Sequence, residues 1–194
     1  MRTTLLAVLT LSASFLFAQD VRVEDIGKSP TEARFVRGGA IRMDLCSSGI
    51  DVIGEDSDRI RVSFDNHRGN DLKVRIETTG NRAELKVTGC PRNNFQLRIE
   101  IPKTSDLYVR MFAGQLEIKG IAGDKDVQLH AGELDMEIGE AKDYSRVEAS
   151  VNTGEIDASP FGVSKGGLFR SFDRSGPGKY RLHAHVGAGQ LTLN

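Results

Sequence analysis

Four short segments in the second half of this chain share one plan, and that plan leaves few folds open. Each has alternating apolar residues, a small residue, a glycine, an acid or amide, and then alternating apolar residues again. They are Ala113-Gly114-Gln115-Leu116, Ala131-Gly132-Glu133-Leu134, Thr153-Gly154-Glu155-Ile156 and Ala188-Gly189-Gln190-Leu191. Three residues before the glycine stand Met111, Leu129, Val151 and Val186; two after it stand Leu116, Leu134, Ile156 and Leu191. Apolar residues at period two mean strands with one buried face. The five-residue step from Met111 to Leu116 breaks that parity once per copy. A strand does this only with a bend or bulge, and glycine supplies the backbone angles.

The glycines are 18, 22 and 35 residues apart. A repeat near 20 residues marks stacked coils, each burying its apolar face against its neighbours. The expected fold is therefore all-β, a parallel β-solenoid with turns of about 20 residues, each glycine marking the same corner of the next layer. The alternative is an antiparallel β-sandwich, whose strands also alternate. It gives no reason for one glycine offset to recur four times.

Taken in order, residues 1–18 read as a signal peptide: Arg2, an apolar run from Leu5 to Phe17, and Ala18 before the cleavage point. The run is too short for a membrane span, and no later segment could supply one. Residues 19–34 read as an extended lead-in, and residues 35–194 as a single domain. Ile41, Met43 and Leu45, then Ile50 and Val52, make a fifth, imperfect copy with its glycine displaced by one place. Leu72 to Val87 reads as a hairpin turning at Thr79-Gly80-Asn81. Phe95 to Ile101 alternates strongly and stops at Pro102. Residues 161–179 are an insertion rich in glycine and charge, either an extra coil or a projecting loop.

Export decides the cysteines. Cys46 and Cys90 are the only two, and in an oxidising compartment they are expected to pair as a structural disulfide. A net charge of −1 argues against nucleic acid or anionic lipid as the main partner.

The strand ending in Ile-Glu-Ile-Pro (residues 99–102), then Leu-Tyr-Val-Arg (107–110), then successive Ala/Thr-Gly-acid-apolar repeats, resembles the bacterial putative-adhesin family, related to the auto-transporter adhesin head domain. The resemblance covers roughly residues 35 to 194. It implies an exported, right-handed β-helix-like domain of unknown function, and it brings no catalytic residues to carry over. The 35-residue last interval departs from the plainest family pattern.

Stacking in register would set equivalent side chains roughly 4.8 Å apart. Gln115, Glu133, Glu155 and Gln190 would form one outward ladder; Glu117, Asp135, Asp157 and Thr192 would form another. Glu117, Asp135 and Asp157 are weak candidates for a cation such as calcium, against a plain solvated acidic stripe. A carbohydrate-active enzyme would need a carboxylate pair, which Glu133, Asp135, Glu155 and Asp157 could supply. However, short coils leave no long loops for a cleft, and tryptophan is absent. His183 and His185 share one strand face and could bind zinc with Glu148, although surface histidines are commoner. Phe112, His130 and Asn152 form a further outward ladder, and His67 lies in a loop. No phosphate-loop spacing or nucleophile elbow occurs, so no catalytic residue and no cofactor are expected.

The functional expectation is an exported, non-enzymatic module for binding or adhesion at the cell surface or in the periplasm. Its partner would be a protein or glycan. A calcium-stiffened structural protein is a further alternative. An open solenoid end must also be capped or self-associate.

Overall fold

The computed structural model describes residues 20–65, 71–91 and 95–194. The expected signal peptide and His67 lie outside these residues. The described chain is all-β, with thirteen strands. The first eight are β1 (Val21–Ile26), β2 (Thr31–Arg34), β3 (Ala40–Leu45), β4 (Ser48–Glu55), β5 (Arg59–Phe64), β6 (Lys73–Thr79), β7 (Arg82–Thr88) and β8 (Gln96–Pro102). The last five are longer: β9 (Asp106–Lys119), β10 (Lys125–Met136), β11 (Tyr144–Ala158), β12 (Val163–Ser175) and β13 (Tyr180–Leu193). The stretch read as a lead-in contains β1 and β2, and both pair within the sheet.

Each long strand is two arms joined at its glycine. Met111 and Leu116 are both buried although five residues apart, so the chain turns its inner face through the corner. Gly114, Gly132, Gly189 and Gly154 take φ values of 129°, 131°, 138° and 138°, which an L-residue rarely adopts. They also stack in register. A Cβ at Gly132 would collide with the carbonyl oxygen of Gly114 below it, as one at Gly189 would with that of Gly132. The glycine is thus required twice, by its backbone angles and by the layer beneath.

Below β9 the two arms have separate partners. The first arm pairs with β3, followed outward by β7, β6 and β1; the second pairs with β4, followed by β8, β5 and β2. Ser48 stands opposite Gly114, so a serine holds the corner position of the imperfect copy and Gly49 follows it. The two wings share one apolar core with both arms of the long strands. Cys46 and Cys90 come together with their Cα atoms 5.8 Å apart, the separation of a disulfide.

A parallel β-helix whose coils climb in chain order does not describe this sheet. Pairing is parallel at the centre, but β6–β7, β1–β6, β5–β8, β2–β5 and β11–β12 are antiparallel. The antiparallel pairing of the sandwich alternative is confined to these flanks. The order also departs from the chain, because β13 inserts between β10 and β11. Charge gives a reason. With β10 beside β11, Glu133 would face Glu155, Asp135 would face Asp157 and Asp126 would face Glu148. With β13 between them, Gln190, Thr192 and His183 separate the three acid pairs. Like charges directly opposite on adjacent strands are destabilising, and this order avoids all three.

The insertion is neither a coil in the same sense nor a loose loop. Residues 163–175 form β12, an edge strand antiparallel to β11, and Gly167 stands opposite Gly154 at the corner. Of its core-facing positions, three carry Arg174, Arg170 and Lys165 opposite Val147, Val151 and Ile156, and two carry Phe172 and Val163 opposite Ala149 and Ala158, packed against the core. Lys165 Nζ donates to Ser171 O (3.0 Å) and Arg170 Nε to Gly166 O (2.9 Å).

Candidate functional site

On the outer face of the first arms, period-two alternation sets two rows side by side near the corner. One row runs across the strands as Arg110, Gln128, His185 and Ser150. Two residues along each strand, Phe112, His130, Gly187 and Asn152 form the second. All of these but Ser150 floor a groove of about 680 Å³, lined on one side by Asp44, Lys86, Thr88 and Cys46.

Phe112 is 67% exposed, an unusual setting for phenylalanine on a half-buried strand. Its ring stacks on His130, with centroids 4.9 Å apart and planes 16° from parallel. Gly187 lies beside them without a side chain, and a Cβ there would run into the carbonyl oxygen of His130. The result is a flat aromatic platform.

The polar row is oriented by neighbours. His185 Nδ1 and Ser150 Oγ are 2.8 Å apart. The Arg110 guanidinium lies over the Tyr108 ring at 5.0 Å, with Arg42 on the same ring at 4.6 Å. Among the described residues neither Arg110 nor Lys86 has a carboxylate within ion-pairing distance. Asp44, between them in register, makes its 4.0 Å contact with Arg42 instead. The groove thus offers one aromatic surface, several hydrogen-bonding groups, the Asp44 carboxylate and two cations that, among the described residues, have no carboxylate within ion-pairing distance.

The acids singled out from sequence lie on the second arms. Glu117 and Asp135 are neighbours, but Thr192 intervenes before Asp157, so the three do not converge. Burial, reinforced by Glu117, raises the Asp135 carboxyl above its ordinary value, opposed by Lys119 and by a 2.6 Å hydrogen bond from Asn194. Gln115 Nε2 donates to Glu133 Oε2 at 2.9 Å, and Gln190 separates Glu133 from Glu155. Among the described residues, no three His, Cys, Asp or Glu side chains group as a metal site. His183 and Glu148 are register neighbours, but His183 Nδ1 contacts Asp126 Oδ1 at 3.0 Å and His185 is turned to Ser150.

The Phe112, His130 and Asn152 ladder was visible in sequence. Its link to Arg110, Gln128 and His185 was not, because it depends on where β13 sits. The one available signal was a large apolar residue at an outward position.

No family model matches the chain, and no curated protein does. Among solved structures, a protein described as a putative cell adhesion protein from Clostridium sporogenes is similar in fold. It has 14% identity and a TM-score of 0.51, over 85% of this chain and 99% of that one.

Proposed function

We propose that this chain is an exported, non-enzymatic binding or adhesion module, built on a β-solenoid-like ladder and acting at the cell surface or in the periplasm. The observation that carries the reading is the exposed Phe112 ring, stacked on His130 in an open groove and fixed on rigid strands. Aromatic side chains are enriched at binding surfaces relative to the rest of a protein's exterior, and this one stands in an open groove.

Two observations support export and adhesion. The Cys46–Cys90 pairing fits an oxidising compartment, and the fold is shared with a protein described as a putative cell adhesion protein. In the alternative reading, a carbohydrate-active enzyme, Asp135 would be the acid, since burial raises its carboxyl beside Glu117.

The test is direct. Fluorescently labelled chain should bind intact cells or isolated envelopes saturably, and Phe112→Ala should remove most of that binding while the melting curve stays unchanged. Saturable binding that survives Phe112→Ala would refute the assigned face. Turnover of chromogenic glycosides or polysaccharides, lost in Asp135→Asn, would establish the enzyme in its place.

A further inference from the structure

We infer that the groove takes an extended saccharide chain bearing carboxylates, laid across the strands over Phe112 and His130. This rests on the binding-module reading and specifies its occupant.

The first argument is the shape of the apolar surface. A stable protein partner needs roughly 800 Å² per side with an apolar centre. Here the only large exposed apolar side chain is Phe112; among the described residues the others, Ile26, Val36, Leu168 and Phe169, lie outside the groove. A single flat platform bordered by hydrogen-bonding groups suits a ring with one apolar C–H face and a polar rim, which is a pyranose. The groove volume of about 680 Å³ falls within the usual range for small-ligand sites.

The second argument is the repeat. Arg110 and Phe112 on β9, Gln128 and His130 on β10, His185 and Gly187 on β13, and Ser150 and Asn152 on β11 form four successive units of one layout. Strands are spaced about 4.8 Å apart, close to the advance of one sugar unit in an extended chain. A polymer with a matching repeat can meet an equivalent pair of positions on every strand.

Charge supplies the third argument. Arg110 and Lys86 line the groove, among the described residues with no carboxylate within ion-pairing distance, and Asp44 between them contacts Arg42. Arginine's planar fork matches a carboxylate in two hydrogen bonds. The acidic second-arm face, with Glu117, Asp135 and Asp157, would repel the same ligand, so binding should be confined to the first-arm face.

Calorimetry on the oxidised chain with tetragalacturonate, chitotetraose as the neutral comparison, and labelled-cell binding in parallel would test this. Tetragalacturonate should bind and should compete with cells. Phe112→Ala should lower its affinity about tenfold, the loss of one stacked ring. Arg110→Gln should lower affinity for tetragalacturonate about tenfold and leave chitotetraose unchanged, while Glu133→Gln on the other face should change neither. Equal binding of the two saccharides, or indifference to Phe112→Ala, overturns the assignment. If cells bind through Phe112 but only protease treatment of the cells, and no saccharide, abolishes it, the occupant is a protein; this inference then fails and the binding-module reading stands. If neither cells nor saccharide bind, both fall.

Discussion

His183 reaches Asp126 across the boundary between β10 and β13, Nδ1 to Oδ1 at 3.0 Å. The contact exists because the last strand of the chain lies inside the ladder and not at its end. At that level, and at the two levels beyond the corner, β13 places an uncharged or titratable residue between acids of β10 and β11. The strand order is therefore encoded partly in charge.

That claim is testable at Gln190. Gln190→Glu would put a third carboxylate between Glu133 and Glu155, one on each of three adjacent strands. The expected loss is about 1 kcal/mol at low ionic strength, largely recovered at high salt, where the Debye length falls to a few ångströms. Denaturant melts at both salt concentrations would show it. A salt-independent loss would mean that packing sets the order.

The corner glycines separate two causes of strain. Gly132 and Gly139 both have positive φ, 131° and 70°, but a Cβ at Gly139 meets nothing within 4 Å. Gly139→Ala should cost about 1 kcal/mol from backbone angles alone. Gly132→Ala carries the additional collision with Gly114 O and should cost more than about 3 kcal/mol. Equal midpoints in urea would show that the layers can spread to admit a methyl group.

Parity, corner positions and the β6–β7 hairpin were all legible, because each is a local consequence of side-chain alternation and turn chemistry. The in-register glycine column was legible too. The layer at β12 was hidden for two physical reasons. Read backwards from Gly167, the plan reappears: Lys165 and Val163 occupy the two-and-four positions, Arg170 and Phe172 the three-and-five positions. An antiparallel strand reverses those offsets, and cations at two of the four apolar places erase the hydrophobic signal. The position of β13 was hidden differently. Equivalent repeats can stack in several orders, and what distinguishes them is cross-strand pairing such as that at Gln190, Thr192 and His183 and the Arg181–Asp124 ion pair. The binding face inherited that ambiguity, since His185 and Gly187 complete it.

The start of β10 contains a pH-sensitive bolt. Lys125 is buried, and its Nζ donates to Tyr144 Oη at 2.9 Å and Gly123 O at 3.2 Å, while Tyr144 Oη donates to Ile138 O at 3.0 Å. Burial lowers the lysine from 10.5 to about 8 and raises the tyrosine. Below pH 8 the ammonium is charged in both states and folding bears the full burial cost. Between about 8 and 10.5 the folded state loses the proton first, so stability rises. Above about pH 10 the unfolded tyrosine ionises and the folded one does not, so stability falls again. In Lys125→Met the rise should vanish and the fall persist, as read from urea midpoints across that range.

The disulfide closes a sequence separation of 44 residues. The chain-entropy model assigns a loop of that size about 4 kcal/mol. Cys46→Ser with Cys90→Ser should therefore lower stability by about 2–4 kcal/mol without altering the saccharide affinity of the folded chain, since Cys46 only borders the groove. A loss of affinity at temperatures where the variant is still folded would show that the wall is shaped by the bond.

The exposed edge at β12 leads to the last expectation. A long edge strand invites pairing with another chain, and inward-pointing charges are one way proteins prevent it. Lys165 and Arg170 stand on the core-facing side opposite Ile156 and Val151, each tied to a carbonyl of its own strand. Another copy stacked on this edge would have to enclose those cations against apolar side chains, at a cost of several kcal/mol per ion. Lys165→Val with Arg170→Val removes that penalty and continues the apolar stripe of β11 through β12. Sedimentation velocity over a range of concentrations should then show self-association of the double variant well above that of the native chain. If both sediment alike, the cations are not what closes this end.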